Sequence, residues 1–124
     1  NKDTKFSIHS RLKSFRYAFE GLVRFFKTEH NAWLHLVCTL CVVILALSVK
    51  VTHSEAIALV IAVALVWITE MVNTCIEKVM DMISKEYDVR IKVIKDISAG
   101  AVLVAAATAL VIGLFVFIPK FMYV

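Results

Sequence analysis

Apolar residues in the first part of the chain recur at alternating steps of four and three. Basic residues, among them Arg11, Lys13 and Arg24, lie between them. This periodicity predicts an amphipathic helix over about 7–28. A cationic face opposite a phenylalanine-rich face is typical of a helix in the membrane interface, although packing against the protein's own helices would give the same pattern. The apolar positions are Ile8, Leu12, Phe15, Phe19, Leu22 and Phe26.

Three longer helices follow, over 33–49, 56–84 and 93–118, and each contains an apolar stretch. About 20 apolar residues suffice to cross the hydrocarbon core of a bilayer. We therefore predict an all-α integral membrane protein with a surface helix and three transmembrane helices. We expect the last span to stop at Pro119 and Lys120, because proline disfavours a continuing helix.

Composition supports a membrane protein. The 124 residues are 60% hydrophobic and only 19% charged, and the mean hydropathy is +0.82. A soluble domain and a large extramembrane catalytic domain are both excluded by these values.

The basic residues are unevenly distributed along the chain. Of the 14 Lys and Arg residues, seven precede Glu29 and five lie between Lys78 and Lys95. Cytoplasmic segments collect Lys and Arg, so the N-terminus and the second connection are predicted to be cytoplasmic. Attraction to anionic lipids accounts for the net charge of +4, and a nucleic-acid partner is not needed.

Polar residues continue the second long helix beyond its apolar part. Glu70, Asn73, Glu77 and Asp81 follow without any Gly or Pro between them, and a helix places them within about 80° of one face. Carboxylates near a bilayer boundary are costly and usually functional. Glu70, directly after the apolar stretch, is a candidate general base. The alternative is a set of solvated charges at a helix end, paired with Lys78 and Lys85 among others.

These acids suit magnesium-dependent phosphoryl transfer. Mg²⁺ prefers a few carboxylate oxygens together with substrate phosphates, and Glu29 and Glu77 are candidate ligands. Lys95 is a candidate phosphate contact, and Asn73 a candidate to orient a neighbouring carboxylate. Glycine-rich nucleotide motifs are absent from the sequence, so ATP would bind without a glycine loop.

The run EMVNTCIEKVMD at 70–81 resembles the pattern E-x-x-N-[TS]-x-x-E-x-x-x-D of the small prokaryotic diacylglycerol and undecaprenol kinases. Three further features agree with that family: Lys95-Asp96 before the small cluster A-G-A, Glu29 ahead of the first span, and Glu86-Tyr87. The resemblance covers nearly the whole chain.

The resemblance implies that residues 1–124 form one membrane kinase domain, and that a homotrimeric helical bundle shares active sites between subunits at the membrane surface. It implies transfer of the ATP γ-phosphate to a lipid hydroxyl, with Mg²⁺ as cofactor. The family's catalytic residues match Glu70 and Asn73, and its metal ligands match Glu29 and Glu77. Glu70 and Ala99 match its lipid-substrate positions, and Asp81 matches a supporting one. Its nucleotide-binding positions match Tyr17, Glu29, Glu77, Glu86, Tyr87, Asp88, Lys95 and Asp96.

One departure bears on the substrate. His35, in TEHNAWLH, stands where proteobacterial diacylglycerol kinases carry a second acid. This resembles the Gram-positive branch, whose members phosphorylate undecaprenol to undecaprenyl phosphate for cell-envelope lipid-carrier supply. The expectation is therefore an undecaprenol kinase of the inner (cytoplasmic) membrane, with its active site at the cytoplasmic face. The alternatives are a diacylglycerol kinase that makes phosphatidic acid and, in another class, a small oligomeric transporter or channel.

Overall fold

The structure, a computed structural model, describes residues 7–122 and is all-α in that range. It contains α1 (Ile8–Thr28), α2 (His30–Val49), α3 (His53–Ile83) and α4 (Val89–Met122). The last three are long and apolar enough to cross a membrane. The predicted fold class of a first helix followed by three candidate spans is thus confirmed. Lys2 and Lys5 lie outside the described residues.

The chain divides into two compact units. The first ends at Cys38 and the second begins at Thr39. In the first unit, the Ser7 side chain caps α1 by accepting the backbone N–H of Ser10. The Phe26 ring packs edge-on against Phe25 and Trp33, so the start of α2 is held by aromatic contacts.

In the second unit, α3 and α4 pack along one another. Small residues occupy buried positions on both helices, including Ala62 on α3 and Ala105 on α4. Small side chains let two helix backbones approach closely, which is how membrane helices gain packing energy. Large apolar side chains such as Leu103 and Phe115 are exposed instead, as expected of surfaces that face lipid or another subunit.

A hydrogen bond joins α2 and α3 within the apolar region, because the indole N–H of Trp67 donates to Thr39 Oγ1 at 2.9 Å. We predict that Thr39→Val destabilises the protein by about 0.6 kcal/mol, the average for interhelical hydrogen bonds in membranes. Thr108→Val is the matched control, since the Thr108 hydroxyl bonds only to the Val104 carbonyl of its own helix. Equilibrium unfolding in mixed micelles measures both free energies. Equal stability of Thr39→Val and the parent protein would contradict the prediction.

The connection between α2 and α3 is tight. Lys50 has a left-handed backbone with φ of 54°, which costs a residue with a side chain on the order of 1 kcal/mol. Thr52 and Glu55 form a capping box at the start of α3. The Glu55 carboxylate also forms an ion pair with the Lys120 ammonium at 3.0 Å, which connects the C-terminal end of α4 to the start of α3.

The expectation that Pro119 ends the last span is wrong, because α4 continues through Pro119 to Met122. Proline lacks an N–H, so this close to a helix end it removes one hydrogen bond from the last turns. The Lys120–Glu55 ion pair holds that last turn against α3. The sequence spacing could not show this contact, since the two residues lie on different helices.

Candidate functional site

The polar positions predicted on the second span lie on one unbroken helix. Its 31 residues make α3 about 46 Å long, well beyond the roughly 30 Å of a hydrocarbon core. Glu70, Asn73 and Thr74 are buried, whereas Glu77 and Asp81 are exposed. The helix face therefore passes from a buried carboxylate to exposed ones within about three turns.

Asn73 and Glu77 interact directly one turn apart. The Asn73 amide Nδ2 donates to Glu77 Oε1 at 3.3 Å. A carboxylate only accepts hydrogen bonds, so this contact determines which way the amide points. The Asn73 Oδ1 atom is buried without a hydrogen-bond partner among residues 7–122. The neighbouring carboxylate that Asn73 contacts is therefore that of Glu77, and the Asn73 Oδ1 atom can still accept a hydrogen bond.

Asn73 also lines a groove of about 410 Å³ between α3 and α4. The other walls are mostly apolar, with Ile68 and Val72 on α3 and Ile97 and the buried Ser98 on α4. The groove thus places a few polar atoms in apolar surroundings, an arrangement that suits a hydroxyl carried on a hydrocarbon chain.

An ion pair between Lys95 and Asp81 connects α4 to α3 near the C-terminal end of α3. The Lys95 ammonium lies 2.7 Å from Asp81 Oδ1. The neighbouring Asp96 pairs with Lys92 on its own helix. Lys95, the predicted phosphate contact, is therefore already paired with the Asp81 carboxylate. A phosphate that binds there would share Lys95 with Asp81 or displace Asp81 from it.

The connection from Ser84 to Asp88 contains three of the predicted nucleotide contacts, Glu86, Tyr87 and Asp88. Glu86 and Tyr87 are exposed. Asp88 caps α4, and its Oδ1 accepts the backbone N–H of Arg90 at 2.8 Å. The Arg90 guanidinium also reaches both carboxylate oxygens, at 3.2 and 2.8 Å. Sequence reasoning did not identify Arg90, although an Asp two residues before it at a helix start is a recognisable capping signal.

The Arg90 contacts hold the pKa of Asp88 at about 2, below its usual range. The pair therefore contributes stability above the ordinary Asp pKa of about 3.9, and loses that contribution as pH falls through about 2. We predict that Arg90→Gln raises the pKa of Asp88 towards about 3.9, while Lys85→Gln leaves it unchanged. Carboxyl-carbon NMR titration measures it, and an unaltered Asp88 titration in Arg90→Gln would contradict the assignment.

The other predicted site residues are spread along the chain. Tyr17 is exposed on α1, and Glu29 follows it as the C-cap, its backbone N–H bonded to the Phe25 carbonyl. Both belong to the first unit, as does the half-buried His35 of α2. Ala99 is exposed on α4 in the second unit.

The donor atoms suit magnesium with phosphate better than a metal held by protein alone. Among residues 7–122 no group of three or more His, Cys, Asp or Glu side chains surrounds a common point. Mg²⁺ usually takes one or two carboxylates and completes its shell with water and phosphate oxygens. Glu77 is exposed, and its one hydrogen bond with Asn73 leaves further lone pairs for a cation. The chemistry of the site therefore fits a metal that arrives with a nucleotide.

The family model described as prokaryotic diacylglycerol kinase matches residues 16–117. The chain belongs to the prokaryotic diacylglycerol kinase family. Two curated relatives agree with that assignment. The chain is 39% identical over 106 residues to "Diacylglycerol kinase" of Synechocystis, a match that covers 82% of this chain and 59% of the relative. It is 31% identical over 120 residues to "Undecaprenol kinase" of Bacillus subtilis, a match that covers 97% of this chain and 98% of the relative.

Membership in the diacylglycerol kinase family implies ATP and a lipid as substrates, and a multi-pass membrane protein. It favours the kinase over the transporter or channel considered above. The two relatives carry different substrate names, so the similarity alone does not select the lipid. The chain also spans less than two thirds of the Synechocystis protein's length.

Proposed function

We propose that this protein is an ATP-dependent lipid kinase that transfers the γ-phosphate to undecaprenol and produces undecaprenyl phosphate and ADP. The observation that carries the proposal is that Glu70 is buried and shares one face of α3 with Glu77 and Asp81. Asp81 in turn pairs with Lys95. The near full-length match with the Bacillus subtilis undecaprenol kinase and His35 favour the polyprenol.

In this proposal Glu70 is the general base. The lipid hydroxyl oxygen forms a bond to the γ-phosphorus while the bond to the β–γ bridging oxygen breaks. Glu70 takes the hydroxyl proton, and the electron pair of the broken bond leaves with ADP. The burial of Glu70 limits the access of water, which would otherwise compete as the phosphate acceptor. Asn73 is proposed to act beside Glu70, and Ala99 to border the lipid.

The nucleotide is proposed to lie at the Glu77–Asp81 end of α3. Lys95 holds phosphate oxygens there, and Asp81 keeps the Lys95 ammonium in place. Glu29 and Glu77 would hold Mg²⁺, which when bound neutralises phosphate charge. The remaining proposed nucleotide contacts are Tyr17, Glu86, Tyr87, Asp88 and Asp96.

We further propose that the protein is a homotrimer in the cytoplasmic membrane, with its N-terminus and active sites on the cytoplasmic side. The uneven distribution of Lys and Arg supports that orientation. The large apolar side chains exposed on all three candidate spans leave ample surface for neighbouring subunits as well as for lipid.

Diacylglycerol is the second candidate substrate, favoured by the higher identity to the Synechocystis protein. Both lipids present a hydroxyl on an apolar body, so the same acid and the same groove suit either. The test is a comparison of kcat/KM for undecaprenol and diacylglycerol in identical mixed micelles. A preference for undecaprenol supports the proposal, and a preference for diacylglycerol replaces it with the second candidate.

A further inference from the structure

An apolar groove of about 610 Å³ lies between the second half of α2 and the first half of α3. Its lining includes Thr39, Val42, Ala46 and Lys50 on one side and Leu59 and Val63 on the other. All of these residues belong to the second unit. The lining stops at Ala64, before Glu70, so this groove is separate from the candidate functional site.

The length of the groove matches one leaflet of a bilayer. The 10 helical steps from Thr39 to Val49, the residue before Lys50, span about 15 Å, and one leaflet contributes about 15 Å of hydrocarbon. At one end the Thr39 hydroxyl accepts the Trp67 indole N–H, so the polar atoms there already have partners. The groove thus offers an apolar path from mid-membrane depth to the α2–α3 connection.

Lys50 stands at the other end and is the one charged residue in the groove lining. It holds a left-handed backbone, a conformation that at a helix C-terminus favours Gly or Asn. Residues kept in such conformations cluster at ligand-binding positions. Among residues 7–122 no carboxylate contacts Lys50. Glu55, the nearest acid along the sequence, is bonded to Lys120 and to the Thr52 N–H.

We propose that this groove binds one acyl chain of an anionic phospholipid, with the lipid phosphate in contact with Lys50. In the proposed orientation this is a lipid of the outer leaflet. A cation at headgroup depth above an apolar groove of leaflet length is complementary to an anionic lipid and only partly so to a zwitterionic one. The inference does not depend on the kinase activity.

A second copy of this chain fits the groove less well. In a symmetric oligomer with all subunits oriented alike, residues at the same membrane depth meet. At the end that carries Lys50, Glu55 is the one acid among residues 7–122, and Lys120 already engages it. A neighbouring subunit would therefore leave the Lys50 charge uncompensated, whereas a lipid phosphate neutralises it.

Trp67 provides a reporter at the deep end of the groove. The chain has two tryptophans, so Trp33→Phe leaves Trp67 as the only one. In mixed micelles, phosphatidylglycerol brominated towards its chain ends should quench Trp67 at about fivefold lower mole fraction than brominated phosphatidylcholine. That factor corresponds to about 1 kcal/mol for one Lys at the membrane surface.

Four variants complete the test. Lys50→Gln should remove the preference for phosphatidylglycerol, Lys50→Arg should keep it, and Lys85→Gln, at the other end of α3, should leave it unchanged. Ala46→Phe fills the groove and should reduce quenching by both lipids. The proposal is overturned if the two lipids quench equally in the parent protein, if neither quenches, or if Lys50→Gln keeps the preference. Because every readout is binding, failure here leaves the proposed kinase activity untouched.

Discussion

Glu70→Gln is expected to lower kcat by about 10²–10⁴-fold while ATP binding stays close to that of the parent protein. Glutamine preserves the size of this buried side chain but removes its ability to take the hydroxyl proton. The measurement is phosphate transfer from ATP to undecaprenol in micelles, alongside equilibrium binding of a nucleotide analogue. Loss of turnover with retained nucleotide binding is the predicted result.

Glu20→Gln is the matched control for that experiment. Glu20 is an exposed acid on α1 that pairs with Arg16 of its own helix, and it has no place in the proposed chemistry. Its variant should keep parental turnover. Full turnover by folded Glu70→Gln would show that another group, or none, accepts the proton.

Glu77→Gln is expected to have the second-largest effect, a loss of activity on the order of 10²-fold that higher Mg²⁺ concentrations partly restore. The glutamine carbonyl can still accept the Asn73 amide hydrogen that Glu77 accepts now, so the substitution mainly removes charge. Initial rates measured across a range of Mg²⁺ concentrations at fixed ATP give the metal requirement directly.

Asn73→Ala separates the proposed metal-binding role of Glu77 from its hydrogen bond with Asn73. This variant removes the amide that contacts Glu77 but keeps the carboxylate charge. We expect lower kcat in Asn73→Ala with a Mg²⁺ requirement close to the parental one. A parental Mg²⁺ requirement in Glu77→Gln would show that Glu77 is not a metal ligand.

Much of the fold could be predicted from the sequence because helix periodicity and apolar length are local properties. The lack of Gly and Pro after Ile68 predicted that α3 would continue past its apolar part, and it does so to Ile83. Pro119 misled the prediction. α4 continues past it to Met122, and its last turn carries an ion pair from Lys120 to Glu55, which are 65 residues apart in the sequence.

The same distinction applies to the candidate site: contacts within one helix follow from the sequence, whereas contacts between helices depend on packing. The sequence placed Asn73 and Glu77 on one helix face and predicted that Asn73 contacts a neighbouring carboxylate, and the structure shows it in contact with Glu77. The Asp81–Lys95 ion pair joins two helices, and its formation depends on how α3 and α4 pack, so neither residue's sequence neighbours reveal it. The Asp88 carboxylate caps a helix through a contact with Arg90, two residues away, so the sequence could have indicated it. The resemblance to the family led us to predict a nucleotide contact at Asp88 instead.

The most direct test of the central claim is transfer of labelled γ-phosphate from ATP by the purified, folded protein, with undecaprenol and diacylglycerol supplied in identical micelles. We predict labelled undecaprenyl phosphate in excess over labelled phosphatidic acid, and no label on either lipid with Glu70→Gln. Absence of label from both lipids with the parent protein, or full labelling by Glu70→Gln, would contradict it.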